Sequence, residues 1–244
     1  MNARLESTQP AALALDAAQS IGQIAVQLPG ATAIFRRLKL DFCCGGHVSL
    51  AQATTDKNLD LNAVLAELSA LQRPAEPVGM TEPVALIDHI LERYHAVHRE
   101  QLPELIRMAR RVELVHRDNP NVPAGLADVL EAMEQELHAH MEKEEQILFP
   151  MLKAGGNPFV KQPISMMRAE HVDHGANLDK VLALTNDATP PQGACNTWRA
   201  LYAGIAQLNE DLINHMHLEN NVLFPQFEVS KPVQGCGSSG CACG

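Results

Sequence analysis

His140-Met-Glu-Lys-Glu144-Glu-Gln-Ile-Leu-Phe-Pro150 returns 75 residues later as His215-Met-His-Leu-Glu219-Asn-Asn-Val-Leu-Phe-Pro225. A His and a Glu four residues apart share one face of an α-helix, about one turn and ~6 Å along the axis. That pair is a two-point ligand set for a metal ion. Two such pairs in one frame suggest two helices facing each other across one metal site. Upstream of each copy stands a His-x-x-His, His95-Ala-Val-His98 and then His171-Val-Asp-His174, at an offset of 76. A period near 75 residues is too long for a solenoid and suits a helical hairpin duplicated once, making four helices.

The apolar stripes agree with that reading. Leu126, Leu130, Met133, Leu137, His140, Glu144 and Ile147 step by fours and threes, as do Leu201, Ile205, Leu208, Leu212, His215, Glu219 and Val222. These are core-facing positions of a bundle, and the His and Glu lie within the stripe. Leu91, His95, His98, Leu102 and Leu105 mark the first helix, and Met167, His171, His174 and Leu178 the third. The four helices are expected over about 84–117, 124–153, 163–186 and 195–226. Gly155-Gly156 and Pro190-Pro191 serve as stops, and Pro150 and Pro225 can kink or close their helices.

Ahead of the bundle, residues 17–72 read as a compact unit of short helices near 20–28, 31–38, 48–55 and 61–71. A polar lead (1–16) precedes it, and a linker with three prolines (73–83) joins it to the bundle (84–226). Residues 227–244 form a Gly- and Cys-rich tail without an expected fold. Aromatic residues are scarce, at 4%, while Leu, Ala, Glu and Met abound, which favours an all-α chain over a sheet. A net charge of −10 argues against nucleic acid or an anionic membrane as partner. No apolar run is long enough to span a bilayer, and the first residues lack the basic-then-apolar pattern of an export signal. The six cysteines bunch at 43–44 and 236–243, with Cys195 alone, unlike a secreted disulfide scaffold, so a reducing cytoplasm is expected.

A single His on an apolar helix face is usually a core histidine, and one His-x-x-x-Glu arises on many surface helices by accident. Four inward-facing polar clusters in one bundle are different. Burying their carboxylates and imidazoles unpaired costs several kcal/mol per ion, which a metal centre offsets. Mutual salt bridging in a metal-free structural bundle is the competing explanation. Imidazole and carboxylate without thiolate suit iron, manganese or zinc. Two clusters of similar composition suggest two ions sharing Glu144 and Glu219, which favours di-iron over a structural zinc. The ferritin-like arrangement needs a repeated Glu-x-x-His, and only Glu92-Arg-Tyr-His95 supplies one.

The pattern resembles the hemerythrin-like cation-binding bundle. Together with Asp41-Phe-Cys-Cys-Gly-Gly46, Arg93-Tyr-His-x-x-His-Arg-Glu-Gln-Leu-Pro-Glu104 and both Leu-Phe-Pro phrases, it resembles the repair of iron centres family over residues 18–226. That resemblance implies a non-haem di-iron centre, oxo- or hydroxo-bridged, on His95, His140, Glu144, His171, His215 and Glu219. It implies restoration of iron–sulfur clusters damaged by nitric oxide or oxidants, with iron donated to damaged iron–sulfur proteins or to a cluster-assembly scaffold. Oxygen-carrying hemerythrins have a further His four residues after the third-helix ligand, where this chain has Gly175. The centre is therefore expected to be less saturated, and open to nitric oxide or oxygen.

His98 and His174, three residues beyond proposed ligands, are expected to support them by hydrogen bonding. His138 and His217 are expected to point away into solvent. Cys43-Cys44 could accept iron, exchange disulfides or bind a damaged cluster, with Gly45-Gly46 allowing a sharp turn and a close approach. The tail's Cys236, Cys241 and Cys243 match no firm metal signature, and Cys195 is expected to pack. Two rival functions stand beside repair. One is an enzyme reducing two nitric oxide molecules to nitrous oxide, and the other an oxygen or nitric oxide sensor.

Overall fold

A computed structural model describes residues 15–28, 30–71 and 82–228. Pro29, most of the linker and lead, and the tail with its three cysteines lie outside the described residues. All regular structure among the described residues is helical, apart from one isolated bridge between Ser20 and Ser49.

Four short helices come first: α1 (Ile21–Gln27), α2 (Ala31–Arg37), α3 (Leu50–Asp56) and α4 (Leu61–Ala70). Ser20, Ser49 and Asp60 cap the first, third and fourth by accepting backbone N–H groups at the helix start. Gly30 opens α2 at φ 90°, a left-handed conformation that glycine tolerates without a Cβ clash. Ile21, Ile24, Phe35, Phe42, Leu50 and Leu68 bury into a core of their own.

The bundle follows as four rods. Rod A is α5 (Pro83–Ile90), a π turn (Leu91–His95) and α6 (Ala96–Val115). Rod B is α7 (Leu126–Lys143), a π turn (Glu144–Leu148) and α8 (Phe149–Lys153). Rod C is α9 (Lys161–Leu184), entered through a 3-10 turn (Pro158–Val160). Rod D is α10 (Asn196–His217), a π turn (Leu218–Leu223) and α11 (Pro225–Glu228). Rods A and C each pack against both B and D, giving a ring in the order A, B, C, D. Gly155 and Gly156 end rod B at φ 92° and 73°, as a helix stop requires.

The apolar interior is split in two. A lower cluster holds Leu102, Leu105, Leu130, Leu137, Leu178, Leu208 and Leu212. An upper cluster holds Ile87, Ile90, Leu148, Phe149, Met167, Leu223 and Phe224. Between them lies a buried polar layer containing the histidines and glutamates of the repeat.

The π turns correct the stripes read from the sequence. A π turn holds one residue more than an α turn, so the buried face slides by one position beyond it. Ile147 is 55% exposed while Leu148 is buried, Val222 is only half-buried beside fully buried Leu223, and Leu91 yields to Ile90. The prolines do not end their rods. Phe149 and Phe224 donate their N–H to Glu144 and Glu219, five residues back, and the helix continues through Pro150 and Pro225. A widened turn is where a residue without an N–H disrupts a helix least.

The N-terminal unit docks on rod D. Arg36 reaches Glu210 at 2.8 Å and Asn214 at 3.1 Å. The Gly22 N–H donates to the Gly46 carbonyl at 2.8 Å, and a Cβ on Gly46 would lie 2.8 Å from Asn221 Oδ1 and collide with the Phe42 carbonyl. This is the close approach expected of Gly45-Gly46. Because the Phe42 carbonyl is backbone and cannot swing aside, Gly46→Ala should destabilise the chain by about 1–3 kcal/mol. Thermal denaturation compared with Gly45→Ala, which crowds mainly the Asp41 side chain, measures it.

Candidate metal centre

The polar layer is built from one face of each rod. His95 closes the π turn of rod A, His140 and Glu144 straddle the start of the π turn in rod B, His171 sits mid-helix in rod C, and His215 and Glu219 straddle the start of the π turn in rod D. None of the six is more than 1% exposed. They form two sets sharing both carboxylates: His95, His215, Glu144 and Glu219, and His140, His171, Glu144 and Glu219, with the ligand atoms of each set within 4.8 Å of one another.

The distances are those of ligands around an ion. The Nε2 atoms of His95 and His215 lie 3.2 Å apart, and those of His140 and His171 3.1 Å apart. Glu144 Oε2 lies 3.4 Å from Nε2 of both His95 and His140, and the Glu219 oxygens lie 3.1 Å from Nε2 of His171 and His215. Ligand bonds of about 2.1 Å give polyhedron edges of about 3.0–3.4 Å, so the donors present fit a metal.

The outer partners fix which nitrogen faces inward. His95 Nδ1 lies 2.8 Å from Glu145, which also pairs with Arg99. His140 Nδ1 lies 2.9 Å from Glu170, which also takes Lys143. His171 Nδ1 lies 2.9 Å from Asn220 Oδ1. Each partner atom is an acceptor, so each Nδ1 carries the hydrogen and each Nε2 turns its lone pair toward the centre. Two lone pairs facing each other at 3.1 Å, as on His140 and His171, repel unless a cation lies between them. His215 differs, with no hydrogen bond to its Nδ1 among the described residues and its ring stacked on Tyr94 at 5.3 Å.

Electrostatics point the same way. Burial, reinforced by the neighbouring Glu219, pushes the Glu144 carboxyl well above its usual range, and among the described residues no donor lies in hydrogen-bonding geometry to either of its oxygens. Burial presses Glu219 upward as well, but His215 and His171 outweigh it and hold that carboxyl well below. Burial, with His215 adding to it, lowers His95 to about 3. The hydrogen bond from His140, helped by Lys143 and opposed by partial burial, draws Glu170 down to about 2. Neutral imidazoles at His95 and His140 and ionised carboxylates at Glu145 and Glu170 are the protonation states that a bound divalent ion selects.

Other sequence expectations fare differently. His98 and His174 are buried beside the layer, yet their ring nitrogens have no hydrogen-bond partner among the described residues. They pack by ring contact, on His215 at 5.4 Å and on His140 at 4.9 Å. The hydrogen-bonding support expected of them comes instead from Glu145, Glu170 and Asn220. His138 is half-buried, away from the layer. His217 is not solvated but 5% exposed, edge-on to Phe42 at 5.2 Å under the N-terminal unit, and burial lowers it to about 4. Cys195 does not pack either; it is exposed at the start of α10, 3.2 Å from His116 Nε2.

Cys43 and Cys44 lie beside the centre rather than in it. Their sulfurs are 3.6 Å apart, the Cys43 thiol donates to Asp41, and the Cys44 thiol meets the His171 carbonyl at 3.5 Å. The hydrogen bond to Cys44, together with burial, raises the Cys43 pKa and keeps it a neutral thiol. Asp41, Cys43 and Cys44 form a second cluster with metal-binding donors.

Comparison with known proteins meets this geometry. The hemerythrin HHE cation binding domain matches residues 86–227, and ScdA_N, a domain of unknown function, matches residues 17–72. The iron-sulfur cluster repair protein YtfE of Citrobacter koseri is 51% identical over 210 residues, covering 85% of this chain and 96% of that protein. Its namesakes from Yersinia pseudotuberculosis serotype O:1b and Escherichia coli O157:H7 are 52% and 50% identical, over 85% of this chain and 96% of theirs. The chain belongs to this iron–sulfur cluster repair family. Like the hemerythrin-type domain of its family, the bundle carries a metal site. Among the described residues no helix is long and apolar enough to cross a membrane.

At Gly175, where the comparison with oxygen-carrying hemerythrins expects a further His, an added Cβ would meet no atom within 4 Å. Gly175→His adds an imidazole one turn beyond His171 on the same face. The substitution is expected to slow release of bound metal to a chelator severalfold, and to stabilise the helix by about 0.5 kcal/mol. Stopped-flow chelation and thermal melts read the two effects separately.

Proposed function

We propose that the bundle holds two iron ions, one in each His–His set with Glu144 and Glu219 bridging, and that the protein donates this iron to restore iron–sulfur clusters damaged by nitric oxide or oxidants. The sharing of two buried carboxylates between two histidine pairs carries the reading. Each set offers only four protein donors, fewer than iron takes when saturated, so the residues grip the cargo without enclosing it. The relatives are iron–sulfur cluster repair proteins, which supports repair as the role, with damaged clusters of the cytoplasm as the recipients.

The surroundings suit release. A cleft of about 250 Å³ between rods B and C is lined by Glu136, Lys143, Glu170, Asp173 and His174. Its carboxylates lead inward to Glu170, which itself holds His140. A cation leaving the His140–His171 set thus meets anionic oxygens along its way. Iron in the filled site supplies Lewis acidity and one-electron chemistry; the protein supplies four inward lone pairs, two carboxylates and exclusion of bulk water.

Anaerobically purified protein should contain about two irons per chain, and they should fall as an apo-cluster acceptor gains its cluster. Retention of both irons throughout that exchange overturns the donor reading. Glu144→Ala or Glu219→Ala removes a ligand from both sets at once. Either variant should drop to background iron and lose repair, while circular dichroism of the metal-free protein stays helical, because both apolar clusters are untouched. Full repair by an iron-poor variant would sink the account.

A further inference from the structure

The two halves of the duplicated layer are not equivalent, and the difference lies in the residue after each bridging glutamate. In rod B that residue is Glu145, which accepts from His95 and is half exposed on the bundle surface. In rod D it is Asn220, 4% exposed, which accepts from His171 at 2.9 Å through Oδ1. Its other end, Nδ2, donates to the Cys43 carbonyl at 3.0 Å. Asn221 donates beside it to the carbonyls of Phe42 and Cys43, at 3.1 and 3.2 Å.

We propose that Asn220 is a positioning residue that couples the His140–His171 set to the Cys43–Cys44 loop, so that metal held in that set, and not in the His95–His215 set, is retained only while the N-terminal unit is docked. A carboxylate such as Glu145 can only accept, so His95 is oriented whatever else happens. An amide can present either end to a histidine. The Cys43 carbonyl, which only accepts, holds the Nδ2 end and leaves Oδ1 for His171 Nδ1–H. That choice turns the His171 Nε2 lone pair inward. Loss of the loop frees the amide to flip, and a flipped amide presents N–H to His171 and favours the tautomer that cannot bind metal. The loop bearing the two thiols therefore sets the grip of the nearer metal through two hydrogen bonds and no direct ligand.

The inference rests on the two-ion reading above, and its test separates the two. In metal-free protein, long-range ¹H–¹⁵N correlation reads the His171 tautomer directly. Wild type is expected to carry hydrogen on Nδ1, and Asn220→Leu and Asn221→Ala to shift the population toward Nε2. A wild-type ring protonated on Nε2, or one unmoved in both variants, overturns the coupling whichever metal the site binds. With ferrous ion loaded anaerobically, chelator release should show one of the two irons leaving about 10–100-fold faster in either variant. Glu145→Gln, acting through His95, should accelerate the other iron, and the Asn220→Leu/Glu145→Gln double variant both. If Asn220 and Glu145 substitutions accelerate the same iron, or Asn221→Ala leaves release unchanged, the assignment fails. Uptake of a single ion with the expected tautomer shift would overturn the two-ion reading while upholding the role of Asn220.

Discussion

Two carboxylates and four imidazoles held out of water at one level of a helical bundle are the constraint on which the rest depends. Among the described residues no donor lies in hydrogen-bonding geometry to Glu144, and the Nε2 lone pairs of His140 and His171 confront each other at 3.1 Å. Such an arrangement opposes folding by several kcal/mol per uncompensated ion, and survives because apolar clusters above and below carry the bundle. The bundle therefore has two apolar cores instead of one, and the polar layer is packed from both sides.

Outer contacts then give each metal set a different character. The His95–His215 set has one carboxylate-anchored imidazole and one held by stacking on Tyr94. The His140–His171 set has one imidazole anchored by Glu170 and one by an amide tied to the N-terminal unit. A carboxylate partner makes an imidazole a stronger donor than an amide or a ring face does. An approximate twofold repeat in sequence thus becomes two unequal grips in space, with the thiol loop and the acidic cleft both on the same side of the inequality.

Much of this was legible in the chain. The six converging side chains stand at repeat positions with helical spacing, but so do His98 and His174, and it was the family resemblance that chose among them; the all-α character follows from the stripes. What escaped is what helical periodicity cannot encode. A π turn adds a residue without altering composition, so Ile147 looked inward and Leu148 did not. The clue was the run of adjacent apolar residues in Ile-Leu-Phe and Val-Leu-Phe, which one α-helical face cannot bury; Leu148 with Phe149, and Leu223 with Phe224, are buried together. His217 was expected in solvent because its own helix points it away from the layer, and only the docking of another unit covers it. Glu145, Glu170 and Asn220 act across rods, yet aligning the two copies of the repeat would have set Glu145 opposite Asn220 and marked that position as asymmetric.

Each set of donors draws on both hairpins: rods A and B supply His95, His140 and Glu144, and rods C and D supply His171, His215 and Glu219. Neither hairpin alone owns a complete set, and Glu219, the last of the six along the chain, belongs to both. During synthesis on the ribosome, no complete pocket exists until Glu219 has been made. A metal therefore meets its full set of donors only once the two hairpins have come together, so the order in which the hairpins pack is also the order in which the site is built.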